Sequence, residues 1–290
     1  MNSLAVRNLT KRYGQKEALR DMSFTLAPHR IYGLLGRNGA GKTTLLSILS
    51  NRQFPTSGEI VFDDMPMLEN DAVQRKIYSM SETMLYTDTL RVKEIIRLSA
   101  HFYENFDYTR CQELLRAFRL EPKLKVKTLS TGYASILKLI IALSTNAELL
   151  LLDEPVLGLD ANHRELFYTA LLDLYAKSET TIVLSTHLIE EVSNIVEDVL
   201  IVDEGTLRLS GNVEELKQTA CTISGEAALV DAFIKGEEVL GEKRLGSEKA
   251  VYLLAQLDAV PEGLKLSRMG LQQLFVQLTN SVAEGDYNVY

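Results

Sequence analysis

Residues 36–43 read Gly-Arg-Asn-Gly-Ala-Gly-Lys-Thr (GRNGAGKT), with the short apolar run IYGLL before them and TTLLSILSN after them. The first run suits a buried strand and the second a helix that starts on the turn itself. Strand, glycine-rich turn and helix in this order match the eight-residue pattern of a phosphate-binding loop. The glycines allow consecutive backbone N–H groups to point inward, and the helix N-terminus adds partial positive charge. On this reading Gly36, Asn38, Gly39, Ala40 and Gly41 form the cradle, with Thr43 and Thr44 opening the helix. Lys42 reaches the β and γ phosphates, and the Thr43 hydroxyl is placed to hold magnesium, a hard ion that prefers oxygen. A glycine-rich turn that binds nothing has the same letters, but the strand-turn-helix context argues against it.

The flanking sequence is organised around this loop. Residues 1–30 alternate apolar and polar positions, as in LAVRNL and MSFTL, and predict antiparallel strands at one edge of a sheet. From about 89 to 145 the chain reads as helical (RVKEIIRLSAHFYENF, TRCQELLRAFRL, ILKLIIAL), which suggests a helical insertion in an α/β domain. ELLLLDEP and TTIVLSTH then return as near-continuous apolar strands separated by the helical RELFYTALLDLYAKS, and IEEVSNIV and VLIVDEG follow as helix and strand. This spacing implies right-handed crossover units. After about residue 219 the pattern weakens into short mixed elements, AALVDAFIKG, KAVYLLAQL and GLQQLFVQLTN.

Composition excludes several classes of function. The 290 residues are 46% hydrophobic and 24% charged, enough for a large core. No apolar run approaches the roughly 20 residues of a membrane span, so a membrane role requires a partner chain. A net charge of −8, and ten acidic against six basic residues from 219 onward, argue against nucleic acid as a partner. Cys111 and Cys221 lie far apart, and the four histidines, His29, His101, His163 and His187, show no metal-ligand spacing.

Three further stretches carry chemistry. Leu149–Asp153 is an apolar strand ending in a carboxylate, which delivers Asp153 toward magnesium at the carboxyl edge of the sheet. Glu154 follows, placed to orient and polarise an attacking water. An ordinary solvated acidic pair is the plainer reading, and the upstream phosphate loop weighs against it. His187 ends the next strand, where it can contact a γ phosphate. Finally, Leu129-Ser130-Thr131-Gly132-Tyr133 sits as an exposed turn before an apolar helix, for which Ser130 or Thr131 is a natural cap.

Phosphate loop, LSTGY turn, LLLLDEP and LSTH, in this order, resemble the ATPase subunit of ABC transporters over residues 3–218. The resemblance implies a RecA-like α/β phosphate-loop NTPase core with an antiparallel β edge, and a helical subdomain at about 85–145. That domain would span 1–218, followed by a small C-terminal α+β region at 219–290. For the latter, a contact between two ATPase subunits and a passive stabilising appendage both remain open. The resemblance further implies ATP and Mg2+ as ligands, with Tyr13 stacking on adenine; a half-buried strand tyrosine is the plainer alternative. It places Asp160 in a loop that communicates between two sites, and Ser130 and Gly132 on the γ phosphate held by an opposing subunit.

Two stretches depart from the family pattern. Thr131 and Tyr133 replace the glycine and glutamine of Leu-Ser-Gly-Gly-Gln, which implies either an altered working signature or a weakened half-site. Glu82 stands where the family has a glutamine that touches magnesium and links to the membrane subunit; a plain loop carboxylate is its alternative. The stretch NFDYTRCQELLRAFRLEPKLKVKTLSTG is similar to exporter ATPases of the Ytr, bacitracin-resistance and phenol-soluble-modulin types. The expectation is therefore an ATP-hydrolysing exporter subunit for peptides, drugs or other amphipathic compounds. Its partners would be a separately encoded transmembrane permease and a second ATPase subunit, at the cytoplasmic face of the membrane. A non-transport ABC ATPase and a degenerate regulatory ATP-binding subunit are the alternatives.

Overall fold

The apolar runs of the sequence are buried at every position: β3 (Ile31–Leu35), β7 (Leu149–Asp153) and β8 (Thr181–Thr186). Strands with two apolar faces need cover on both sides, which a parallel sheet flanked by helices supplies. The computed structural model describes residues 3–81 and 89–280. In it these strands join β6 (Ile77–Met80), β9 (Asp198–Asp203) and β10 (Thr206–Asn212) in one sheet of order β10-β9-β3-β8-β7-β6. All pairings are parallel except β9 with β10. The carboxyl ends of β3, β7 and β8 therefore lie side by side, bringing residues 36, 153 and 187 to one edge.

Alternation along the strands sorts side chains between two cores. Leu34, Leu149, Leu151 and Val183 face α1 (Lys42–Leu49) and a second sheet, of order β2-β1-β4-β5. This sheet comprises β1 (Leu4–Tyr13), β2 (Lys16–Leu26), β4 (Ser57–Phe62) and β5 (Met65–Pro66). The N-terminal strands are thus antiparallel as expected, and they lie in a sheet of their own beside the parallel one. Their alternating pattern has one apolar face, which α1 covers, and could not fill a slot buried on both sides. The parallel sheet's own antiparallel edge is β10.

Leu35, Leu150, Leu152, Ile182 and Leu184 face the opposite side and its helices. After α2 (Asp71–Gln74) these are α3 (Val92–Phe102), α4 (Tyr108–Ala117) and α5 (Thr131–Ser144), then α6 (Ala161–Lys177) and α7 (Ile189–Val192). α3 is amphipathic and α5 is buried from Ser135 through Ser144. Ile77–Met80, just before Glu82, form β6, a short edge strand paired to β7. Short edge strands with Tyr, Ser and Met carry little periodic signal.

Beyond α8 (Val213–Thr219) lies a third sheet, all antiparallel, of order β12-β13-β11-β14. Its strands are β11 (Ala220–Glu226), β12 (Val239–Leu245), β13 (Glu248–Leu254) and β14 (Leu264–Arg268), with α9 (Ala227–Phe233) against β11 and β13. The sheet has a small core of its own, built on Cys221, Ile223, Val230, Val251 and Leu253. The last helix, α10 (Leu271–Thr279), returns to the main body, where Leu271 and Leu274 join the core that includes α7.

Phe167 on α6 has no exposed surface and packs in the core beneath the parallel sheet. Phe167→Ala is expected to cost about 3–5 kcal/mol of stability, measured by urea denaturation. A loss below about 1 kcal/mol would mean that α6 is not packed as described.

Candidate functional site

The turn after β3 closes around its own lysine. Lys42 is 6% exposed, and its Nζ donates to the Gly36 carbonyl at 2.7 Å and to that of Arg37 at 3.4 Å. Burial pulls the Lys42 ammonium below the usual lysine pKa, opposed by the charges of Glu154 and then Asp153. Such tight wrapping dictates glycine at two points. A Cβ on Gly36 would lie 2.6 Å from the Val202 carbonyl, and one on Gly41, at φ 108°, 2.8 Å from that of Ala18. Asn38 and Gly39 are exposed and Ala40 is buried, while Thr43 at the helix start is exposed.

The neighbouring strand ends supply the acidic and basic groups. Asp153 is 2% exposed, and its Oδ1 has no hydrogen-bond partner among the described residues, nor does the hydroxyl of Ser185 on the adjacent strand. Asp153 is near enough to Lys42 and Arg52 for its charge to raise the pKa of each against burial. Glu154 takes a left-handed backbone, φ 46°, with its N–H donating to the Ser185 carbonyl at 3.0 Å. Non-glycine residues held there cost about 1–3 kcal/mol, and such strain clusters at functional sites. That turn aims one Glu154 oxygen at Lys42 Nζ, 3.9 Å away, and the other at His187 Nδ1, 2.9 Å away. Since a carboxylate only accepts, His187 donates from Nδ1. The imidazole remains 45% exposed at its side chain, leaving its far edge open to the cleft.

Lys42, Glu154 and His187 line a cleft of about 810 Å³ that also contains Tyr13, Gly39, Thr43 and Thr44. Tyr13 is 45% exposed; its hydroxyl donates to Gln53, and Lys11 Nζ lies 5.0 Å from the ring centroid. A cation over the ring and a fixed hydroxyl hold it at the cleft mouth as a flat apolar platform. The turn between β9 and β10 is a contribution the sequence reading missed. Gly205 N–H donates to the Ala40 carbonyl at 3.0 Å, Arg20 N–H donates to the Gly205 carbonyl at 2.7 Å, and Glu204 lines the cleft. Its signal was the Glu-Gly pair after VLIVD, where both residues take positive φ in a tight hairpin.

The remaining sequence-derived residues are not gathered in this cleft. Ser130 is exposed and caps α5, its Oγ accepting from Tyr133 N–H at 3.3 Å. Gly132 packs directly on the loop of Gly158, whose carbonyl would sit 3.0 Å from an added Cβ. Asp160 caps α6 and holds His163. Ser130, Gly132 and Asp160 thus form a second cluster, outside the cleft lining. Gly36 and Asp153 lie buried beneath the cleft. Glu82 falls outside the described residues.

Comparison with known proteins agrees with this arrangement. The family profile described as ABC transporter matches residues 19–157. The chain is 30% identical over 215 residues to the ABC transporter ATP-binding protein YtrB of Bacillus subtilis (strain 168), covering 74% of each chain. It is 33% identical over 252 residues to the Nod factor export ATP-binding protein I of Burkholderia orbicola (strain AU 1054), covering 81% of this chain and 83% of that one. A solved structure of the ATP-binding subunit of an ABC transporter superposes with a TM-score of 0.67 at 25% identity, covering 74% of this chain and 91% of that chain. The chain belongs to the ATP-binding, ATP-hydrolysing subunits of the ABC transporter family.

Proposed function

We propose that the chain powers a membrane exporter by closing head-to-tail on a second ATPase subunit, with ATP held between the phosphate loop of one and the LSTGY turn of the other. The observation that carries this reading is the division of the site. Lys42, Thr43, Glu154 and His187 meet in one cleft, while Ser130 and Gly132 sit on a separate exposed edge of the same chain. An exposed serine hydroxyl and the N-terminus of the 14-residue helix α5 form a donor set for a phosphate that the chain's own loop does not present.

Within the cleft, Lys42 binds the β and γ phosphates and neutralises their charge, and the backbone of residues 36–41 orients them. Tyr13 stacks on adenine. Magnesium fits the oxygen donors present: the Thr43 hydroxyl and the buried Oδ1 of Asp153, which otherwise lacks a partner among the described residues. When bound, Mg2+ would be held by these oxygens and would offset the negative charge that develops during phosphoryl transfer. Glu82 is assigned to the same ion on the family pattern alone. Glu154 accepts a hydrogen bond from the attacking water and aligns it. His187 holds the second oxygen of that carboxylate and presents its exposed edge to the γ phosphate. Asp160, on the edge that carries Ser130, communicates closure to the opposing site.

The partner assigned to this cycle is a separately encoded permease, a reading supported by the likeness to relatives named as ATP-binding proteins of transport systems; no helix among the described residues is long and apolar enough to cross a membrane. A groove of about 690 Å³ between α2, β6 and α3 has exposed Leu98 and Phe102 on its rim and suits an apolar segment of that partner. The subunit would then lie on the cytoplasmic face, held peripherally. Peptides, drugs or other amphipathic compounds are the proposed cargo class, supported by the likeness to exporter ATPases and by a relative named for export. The division at about residue 218, with 219–290 as a separate C-terminal region, is supported by that region's own sheet and small core.

Lys42→Ala is expected to weaken ATP binding at least about tenfold, as for a lost charge-assisted contact, in a nucleotide titration; unchanged affinity would contradict its role. Glu154→Gln should keep ATP affinity and lower turnover about 100-fold or more. Retained turnover would remove Glu154 from catalysis. With Mg-ATP, the Glu154→Gln protein should double its mass in sedimentation, and a persistent ATP-bound monomer would count against an identical partner.

A further inference from the structure

Asp160 needs only one oxygen to cap α6: its Oδ1 accepts from His163 N–H at 2.9 Å. The second oxygen is taken as well, by His163 Nδ1 at 2.8 Å, so the ring is held at a fixed angle over its own helix start. There it touches two other elements. It stacks on Phe118 at the end of α4, with centroids 6.0 Å apart and planes at 15°, and meets Tyr133 edge-on at 6.1 Å and 66°. Both geometries fall within the range of favourable aromatic pairs. Phe118 has no exposed surface, so the stack has a rigid floor. Tyr133 stands where the family has a glutamine, and its N–H donates to the Ser130 hydroxyl.

The backbone alongside is equally close. Gly132 lies against the Gly158 carbonyl, and Ser135 Oγ donates to the Leu157 carbonyl at 3.5 Å. The next residue on α6, Arg164, pairs with Glu191 on α7, which follows His187. The first turn of α6 thereby touches the helices that follow the LSTGY turn and the histidine strand, as well as the loop of residues 157–160.

We infer that His163 is a positioning residue that fastens the Asp160 loop to the signature helix through Tyr133, so that both segments presented to an opposing nucleotide move as one body. This rests on the head-to-tail reading above. A capping role alone requires neither Phe118 nor Tyr133. The aromatic contact also gives Tyr133 a function that a glutamine's amide could not supply through a ring edge.

The test compares Glu154→Gln protein with the same protein carrying His163→Ala, Tyr133→Ala or both, by sedimentation with Mg-ATP. ATP affinity of the monomer is titrated separately and checks that each variant is folded. His163→Ala should lower dimer affinity about tenfold while monomer ATP affinity stays within about twofold, because His163 lies outside the cleft. Tyr133→Ala should add little once His163 is gone, which a merely local packing role would not produce. Full dimerisation of the folded His163→Ala protein, or independent multiplicative costs of the two changes, would overturn the inference. If Glu154→Gln with His163 intact fails to dimerise, an identical partner is excluded, and the junction is read in the monomer by hydrogen exchange. His163→Ala should then raise amide exchange in residues 129–136 and 157–163 together, and unchanged exchange in 129–136 would overturn the coupling.

Discussion

A lysine ammonium with almost no water around it sets the geometry of this protein. Lys42 is satisfied by the carbonyl of Gly36 at the start of its own loop, which bends the chain back over the end of β3. A buried charge must be paired or bonded, so the acidic residues at the end of β7 are drawn to the same place. Glu154 approaches it at 3.9 Å through a left-handed backbone, and Asp153 contributes its charge from beneath. The loop has no room to relax, because the backbones at Ala18 and Val202 press against Gly41 and Gly36. Neighbouring elements therefore fix the loop's shape before any phosphate arrives, as expected of a preorganised anion site.

The same parallel sheet explains why one chain holds one cleft and one separate edge. Strand ends 35, 153 and 186 are adjacent because β3, β8 and β7 are neighbours in the sheet. The LSTGY turn instead begins a helix that packs on the sheet's other face, and its N-terminus is held against the loop of Leu157 and Gly158. Rigid helices that leave the core in different directions cannot bring both halves to one phosphate. Assembly with a second copy or a related chain resolves that conflict, and the α6 junction keeps the exposed half in register with its own core.

Much of the cleft was legible in the sequence. The phosphate loop, Asp153, Glu154 and His187 each stand at the end of an apolar strand, and the strand-helix-strand spacing marked those strands as joined by right-handed crossovers. Other features had no local signature. β6 is only four residues long, too short to show a period, and alternation in the N-terminal strands reports one buried face but not what covers it. The contribution of Glu204 and Gly205 depends on a hairpin meeting residues far away in the chain, at Ala40 and Arg20.

Sequence alone determined the local pattern: a glycine-rich turn between a strand and a helix, carboxylates and a histidine at the ends of apolar strands, and where several helices begin. These are short-range properties, set by side-chain type and by spacing along one element. Only the tertiary structure decided that Ser130 and Gly132 stand apart from Lys42, that the first two strands form their own sheet, and that His163 joins Asp160 to Tyr133. Those outcomes come from packing between segments distant in the chain, where many pairings satisfy the same local pattern and close-packed burial selects among them.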